Sequence, residues 1–182
     1  MKIGFIGAGN MATAIIGGMI AKQFVLPADI AVYDISEAQT AKAVAKYGVQ
    51  AAASQKALID RCEFIVLAVK PVYLKDVLVQ ASPCASGKKF ISIAAGWTVG
   101  MLKDALNNPS AAILRCMPNT PLMVGEGFTA LCEETLFTKE DLAWIKSLFE
   151  SLGSAAVLPE RLFDAIVAVS GSSPAYVFVF VE

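Results

Sequence analysis

Histidine is absent from this 182-residue chain. That excludes a mixed cysteine–histidine zinc site and any imidazole general base. Cysteine is sparse: Cys62, Cys84, Cys116 and Cys132 stand far apart with no C-x-x-C spacing. They read as reduced, mostly buried thiols of a cytosolic protein, so no metal is expected. An excess of charge of either sign is missing too. Fifteen basic residues face 16 acidic ones, the formal net charge is -1, and no basic block occurs; a nucleic-acid partner is not expected. The N-terminus lacks a basic n-region and a small-residue cleavage pattern, so no secretion signal is read and a cytoplasmic location is expected.

What the chain has is apolar surface, with 56% of its residues hydrophobic and a length suited to one well-buried domain. Apolar runs of strand length alternate with helix-period segments, which predicts an α/β fold with a doubly wound, mainly parallel sheet covered on both faces. Strands are expected at 3–6, 30–33, 64–69, 90–93, 112–116 and 127–132, and a last short one in AAVLPE. The first helix is expected over 10–22, with Gly17 and Gly18 marking close packing. Ser36, Ser54, Thr98 and Thr138 read as helix caps, and Gly48 and Gly153 as helix stops. A boundary is expected near Pro159, where alternation gives way to continuous helix, dividing an α/β domain over 1–159 from helical sequence over 160–182.

The segment AIVAVSGSSPAYVFVFVE is strongly apolar. A membrane span needs about 20 apolar residues, and Gly171-Ser172-Ser173-Pro174 interrupts this run, so no membrane association is expected. The expectation is an apolar helix starting at Pro174, with Ser172 or Ser173 as its cap, in a chain that reads as cut short.

Gly7-Ala8-Gly9-Asn10-Met11-Ala12 is a G-x-G-x-x-A turn standing between an apolar strand and a helix. Its first glycine permits the tight turn, its second a close approach of a pyrophosphate, and the small third residue helix–strand contact. Asp34 closes the second strand 22 residues beyond Ala12, where a carboxylate can accept from the ribose hydroxyls of NAD. Such a carboxylate would repel a 2′-phosphate, which leans toward NADH. An alternative reading makes Asp34 only part of a helix-capping turn. Three further strand ends, Lys70-Pro71, Ala94-Ala95-Gly96 and Met117 to Pro121, carry small residues and prolines that let a flat ring lie against backbone.

Together FIGAGNMATAIIGGMI, LAVKP, SIAAGW, RCMPNTPLMVGEG and SGSSPAY, in this order and spacing, resemble pyrroline-5-carboxylate reductase. The resemblance implies reduction of 1-pyrroline-5-carboxylate to L-proline by NADPH or NADH, a Rossmann domain followed by a helical domain, and a homodimer or larger homo-oligomer. It places Ile6, Gly7, Ala8, Gly9, Asn10 and Met11 at the pyrophosphate, Asp34 and Ser36 by the adenosine ribose, and Gln55 near the cofactor. Ala68, Val69, Lys70 and Pro71 with Ala94, Ala95 and Gly96 would flank the cofactor, Asn119 would face the nicotinamide, and Glu160 would lie near the substrate. No residue is assigned a catalytic proton transfer, and the chain alone is expected to turn over poorly. Two alternatives stand beside it. One is a 3-hydroxyacid dehydrogenase, which needs a lysine where none follows Ser170; the other is a non-catalytic NAD(P)H-sensing module.

Overall fold

The structure, a computed structural model, describes residues 2–181; the expected domain ends at Met1 and Glu182 lie outside them. Eight strands form one sheet in the order β3-β2-β1-β4-β5-β6-β7-β8. The strands are β1 (Ile3–Ile6), β2 (Ile30–Tyr33), β3 (Gln50–Ala51), β4 (Phe64–Leu67), β5 (Lys89–Ser92), β6 (Ala112–Pro118), β7 (Gly127–Cys132) and β8 (Gly153–Leu158). All pairs are parallel except β6–β7. The expected doubly wound sheet is borne out, and its order reverses direction between β1 and β4. There the chain leaves one side of the sheet for the other, opening a crevice at the strands' carboxyl ends.

Strand β4 shows why helices cover both faces. Phe64 and Val66 point into one apolar cluster, Ile65 and Leu67 into the other, and all four are buried. The first cluster takes α1 (Asn10–Ala21), α2 (Glu37–Tyr47) and α6 (Lys139–Glu150); the second takes α3 (Gln55–Arg61), α4 (Pro71–Ala81) and α5 (Val99–Ala105). The glycine pair of α1 is used for packing, since a Cβ on Gly18 would lie 2.3 Å from Leu152 Cδ2, and one on Gly17 2.9 Å from Tyr47 Cε1. The capping expectations hold for Ser54, Thr98 and Thr138, whose hydroxyls accept from the N–H three residues on. Ser36 occupies a cap position without a side-chain bond.

Three expectations are corrected. Strand β4 ends at Leu67, two residues early, because Ala68 and Val69 turn toward α4. Gly153 does not stop α6, which ends at Glu150; it opens β8. With φ at +142° and Gly127 O 2.0 Å from where a Cβ would sit, it is glycine because two strands meet there. Third, Gly171-Ser172-Ser173-Pro174 does not interrupt the helical course. From Glu160 the chain runs through a 3₁₀ turn, α7 (Phe163–Ile166), a π turn (Val167–Gly171) and α8 (Ser173–Val181). This 22-residue stretch contains an 18-residue window of mean hydropathy 1.5, is by length and composition apolar enough to cross a membrane, and none of that window is buried.

Candidate functional site

The crevice at the β1–β4 reversal is built from the glycine turn outward. Gly7 has φ at +101°, and a Cβ on it would lie 2.6 Å from Ala68 O. The fold itself requires glycine there. Gly9 is different. Its φ is -70°, open to any residue, and a Cβ on it would meet nothing within 4 Å. Among the described residues nothing requires that glycine, and without a Cβ its backbone lies open to the crevice. Gly9 is also the N-cap of α1, with no side-chain cap bond and no acidic residue in the first turn. The free N–H groups and positive dipole end of α1 therefore face open space. Ala12, the third residue of the turn, is buried and lets α1 lie close to the sheet.

Asp34 is held rigidly at the end of β2. Ala8 N–H donates to its Oδ2 at 2.8 Å, and Ser36 N–H to its Oδ1 at 2.9 Å. Its own N–H donates to Thr40 Oγ1 at 3.1 Å. The carboxylate therefore lies against the glycine turn, between two cavities. One, of about 440 Å³, is lined by Ile6, Gly7, Asp34, Gln55 and Val69 together with Tyr33, Ile35, Tyr73, Asp76, Val77 and Gln80. The other, of about 560 Å³, includes Asp34, Glu37 and Thr40. Asp34, Asp76 and Glu37 thus border this end of the crevice, and no lysine or arginine lines either cavity.

A third cavity, of about 420 Å³, gathers Gly9, Asn10, Met11, Ala68, Val69, Lys70, Pro71, Ala94, Ala95 and Asn119 from four strand ends. Ile93, Met117, Pro118, Thr120 and Gly171 complete it. Its loops brace one another, with Trp97 Nε1–H donating to Pro71 O at 3.2 Å. Lys70 is the one ionisable side chain among the lining residues.

Ala8, Ser36, Gly96 and Glu160 line none of these three cavities. Ala8 and Ser36 act on the site through their bonds to Asp34. Gly96 takes a φ of +76° and turns the loop after β5. Glu160 points into the body of the protein, where its Oε1 accepts from Val99 N–H at 2.8 Å and from Arg115 Nη1 at 3.1 Å. Arg115 is buried, its guanidinium 4.5 Å above the ring of fully buried Phe163. Beside it, Glu134 accepts from Glu160 N–H at 2.8 Å and from the Cys132 thiol at 3.3 Å. Those two bonds, the backbone one foremost, hold the Glu134 carboxyl below its usual range. Burial first, then Glu134, pushes the Cys132 thiol up to about 12.

Tyr73, Val77 and Gln80 escape the sequence reading, because Pro71 reads as the end of a strand and not also as the first residue of α4. Their spacing was the available signal. Leu74, Leu78 and Ala81 are buried, and 73, 77 and 80 fall on the other face of the same helix, toward the crevice.

Residues 2–96 match the family described as NADP oxidoreductase, coenzyme F420-dependent. Over 182 residues the chain is 42% identical to pyrroline-5-carboxylate reductase of Escherichia coli K12, covering all of this chain and 67% of that protein. The structure of Plasmodium falciparum pyrroline carboxylate reductase with NADP bound superposes with a TM-score of 0.90 at 31% identity, covering 100% of this chain and 66% of that one. The corresponding Coxiella burnetii enzyme gives 0.91 at 32% identity, over 98% and 67%. The chain thus spans about two thirds of the length of these relatives.

Proposed function

Because the chain belongs to the pyrroline-5-carboxylate reductases, a family of NAD(P)H-dependent oxidoreductases, we propose that it reduces 1-pyrroline-5-carboxylate to L-proline in the cytoplasm. On this reading residues 1–159 hold the cofactor and residues from 160 on begin the helical part. The observation that carries it is Gly9: a glycine the fold does not need, at an uncapped helix N-terminus, facing a crevice. Those are the requirements of a pyrophosphate.

The residues present fit a nicotinamide dinucleotide. Gly7 to Met11 and the first turn of α1 would hold the pyrophosphate, and Asp34, fixed by Ala8 and Ser36, would accept from the ribose hydroxyls. Gln55 lies beside them, its Nε2 donating to Val77 O at 2.7 Å. When bound, the cofactor supplies a hydride to the carbon of the protonated cyclic imine. The small residues Ala68, Ala94 and Ala95 leave space for a flat ring against backbone. Apart from Lys70 the cleft holds no ionisable group, which suits a substrate that is readily protonated by solvent. The work left to the protein is orientation and exclusion of water. Glu160 serves this by fixing the start of the final helix to β6 through Arg115. The exposed apolar side chains of α8, Tyr176 to Val181, suit packing against a second copy.

The test is oxidation of NADH or NADPH with added 1-pyrroline-5-carboxylate and identification of L-proline as product. Turnover is expected to be slow, since the chain spans about two thirds of its relatives' length; cofactor binding with no detectable turnover would leave the nucleotide site standing and remove the reductase assignment.

A further inference from the structure

Asn119 borders the cleft of Gly9, Lys70 and Ala94, yet both ends of its amide are engaged within the protein. Its Oδ1 accepts from Phe128 N–H at 2.9 Å, and its Nδ2 donates to Ser170 Oγ at 3.0 Å. Ser170 belongs to the π turn Val167–Gly171. The next residue, Gly171, reaches the cleft itself, where a Cβ on it would lie 2.9 Å from Met117 Cε. On the far side of Asn119 lies an apolar cavity of about 700 Å³ lined by Ser170, Val177 and Phe178. Asn119 is thus the partition between the two spaces, bonded to the element that closes one and borders the other.

π turns are rare because their wider ring packs poorly, and they persist mainly where something outside the helix holds them. Here, among the described residues, the external hydrogen bond to the turn is one side-chain bond reaching 51 residues along the chain. We propose that Asn119 and Ser170 form a latch holding the π turn as the outer wall of the nicotinamide end of the cleft. Asn119 is then a positioning residue, acting on the cofactor through Gly171. Occupation of that end and ordering of the 160–181 helix are coupled, each favouring the other. The adenosine end, bordered by Asp34 and Tyr73, is independent of the latch.

This inference rests on the cofactor reading of the crevice, and two ligands separate the two ideas. NADH fills both ends, while ADP-ribose carries the adenosine, pyrophosphate and second ribose but no nicotinamide. Ser170→Ala removes the latch without touching a residue that lines the cleft. Its NADH affinity should fall about fivefold, the loss expected for one hydrogen bond, with ADP-ribose affinity unchanged. Ser170→Thr keeps the hydroxyl and has room in the apolar cavity, so it should restore NADH binding. In the unsubstituted protein, NADH should slow hydrogen exchange of the 167–171 amides and ADP-ribose should not. Equal losses for both ligands in Ser170→Ala, or equal protection of 167–171 by both, overturns the latch and leaves the cofactor site intact. Failure of the unsubstituted protein to bind either ligand overturns both.

Discussion

Replacing Asp34 by Asn should move this protein from NADH toward NADPH. The carboxylate cannot swing aside, because two backbone N–H groups hold its two oxygens at 2.8 and 2.9 Å. A 2′-phosphate on the adenosine ribose would sit about 5 Å from it, and a dianion facing one negative charge at that distance costs about 1.7 kcal/mol in water. Losing the ribose hydrogen bond to a charged acceptor adds about 1.5 kcal/mol. Asp76 and Glu37 add further negative field, and no cation lining the two cavities offsets it. The sum, about 3 kcal/mol, is about two orders of magnitude in relative affinity. Fluorescence titration should therefore give an NADPH Kd about 100-fold above that for NADH. Asp34→Asn keeps one acceptor for the glycine turn while removing the charge, and should bring the ratio within about tenfold. The structure of the Plasmodium falciparum relative has NADP bound. Equal Kd values for the two cofactors in the unsubstituted protein would refute the argument.

Other substitutions separate structural from ligand-dependent roles. Gly9→Ala has free space and an ordinary φ; the melting temperature should hold while cofactor Kd rises at least about tenfold, since the methyl occupies the pyrophosphate's approach. Glu160→Gln leaves buried Arg115 with only the exposed Asp164 carboxylate, 3.9 Å away, and should cost about 3 kcal/mol, or about 6–12 °C in melting temperature. Between pH 9.0 and about 12 the unfolded chain loses the Cys132 proton while the folded chain keeps it. Stability should decline as pH rises through that window, and less steeply in Cys132→Ala. At neutral pH a bulky thiol reagent should modify Cys84 before the buried Cys62, Cys116 and Cys132.

The parts of the fold legible in the sequence are those set by local pattern. Strand β4 is a continuous apolar run because both its faces are covered, and α6 announces itself through Thr138 and an acidic first turn. The reductase resemblance, borne out by relatives at 42% identity, rested on motifs at strand ends, where the topology gathers them. What could not be read depends on contacts between distant segments. Gly153 looks like a helix stop until β7 is laid beside it, and Glu160 looks available to a ligand until Arg115 is seen beneath it. The π turn has no sequence signature, since its hold comes from Asn119, 51 residues earlier.

That turn also sets the rotational phase of α8. A π turn carries one residue more than the α turn it replaces, and each residue advances an α-helix by about 100°. Val177 and Phe178 reach the cavity beside Pro121 and Phe128 because of that offset. If the turn relaxed to α-helix with all its residues kept, α8 would rotate by about a quarter of a circle and carry its apolar stripe off that cavity; deleting one residue would instead let an α turn take its place with α8 unrotated. Loss of the π geometry redirects the whole helix, whereas loss of one residue can be absorbed, so in these five residues the surplus one must stay bulged for the residues after it to keep their faces.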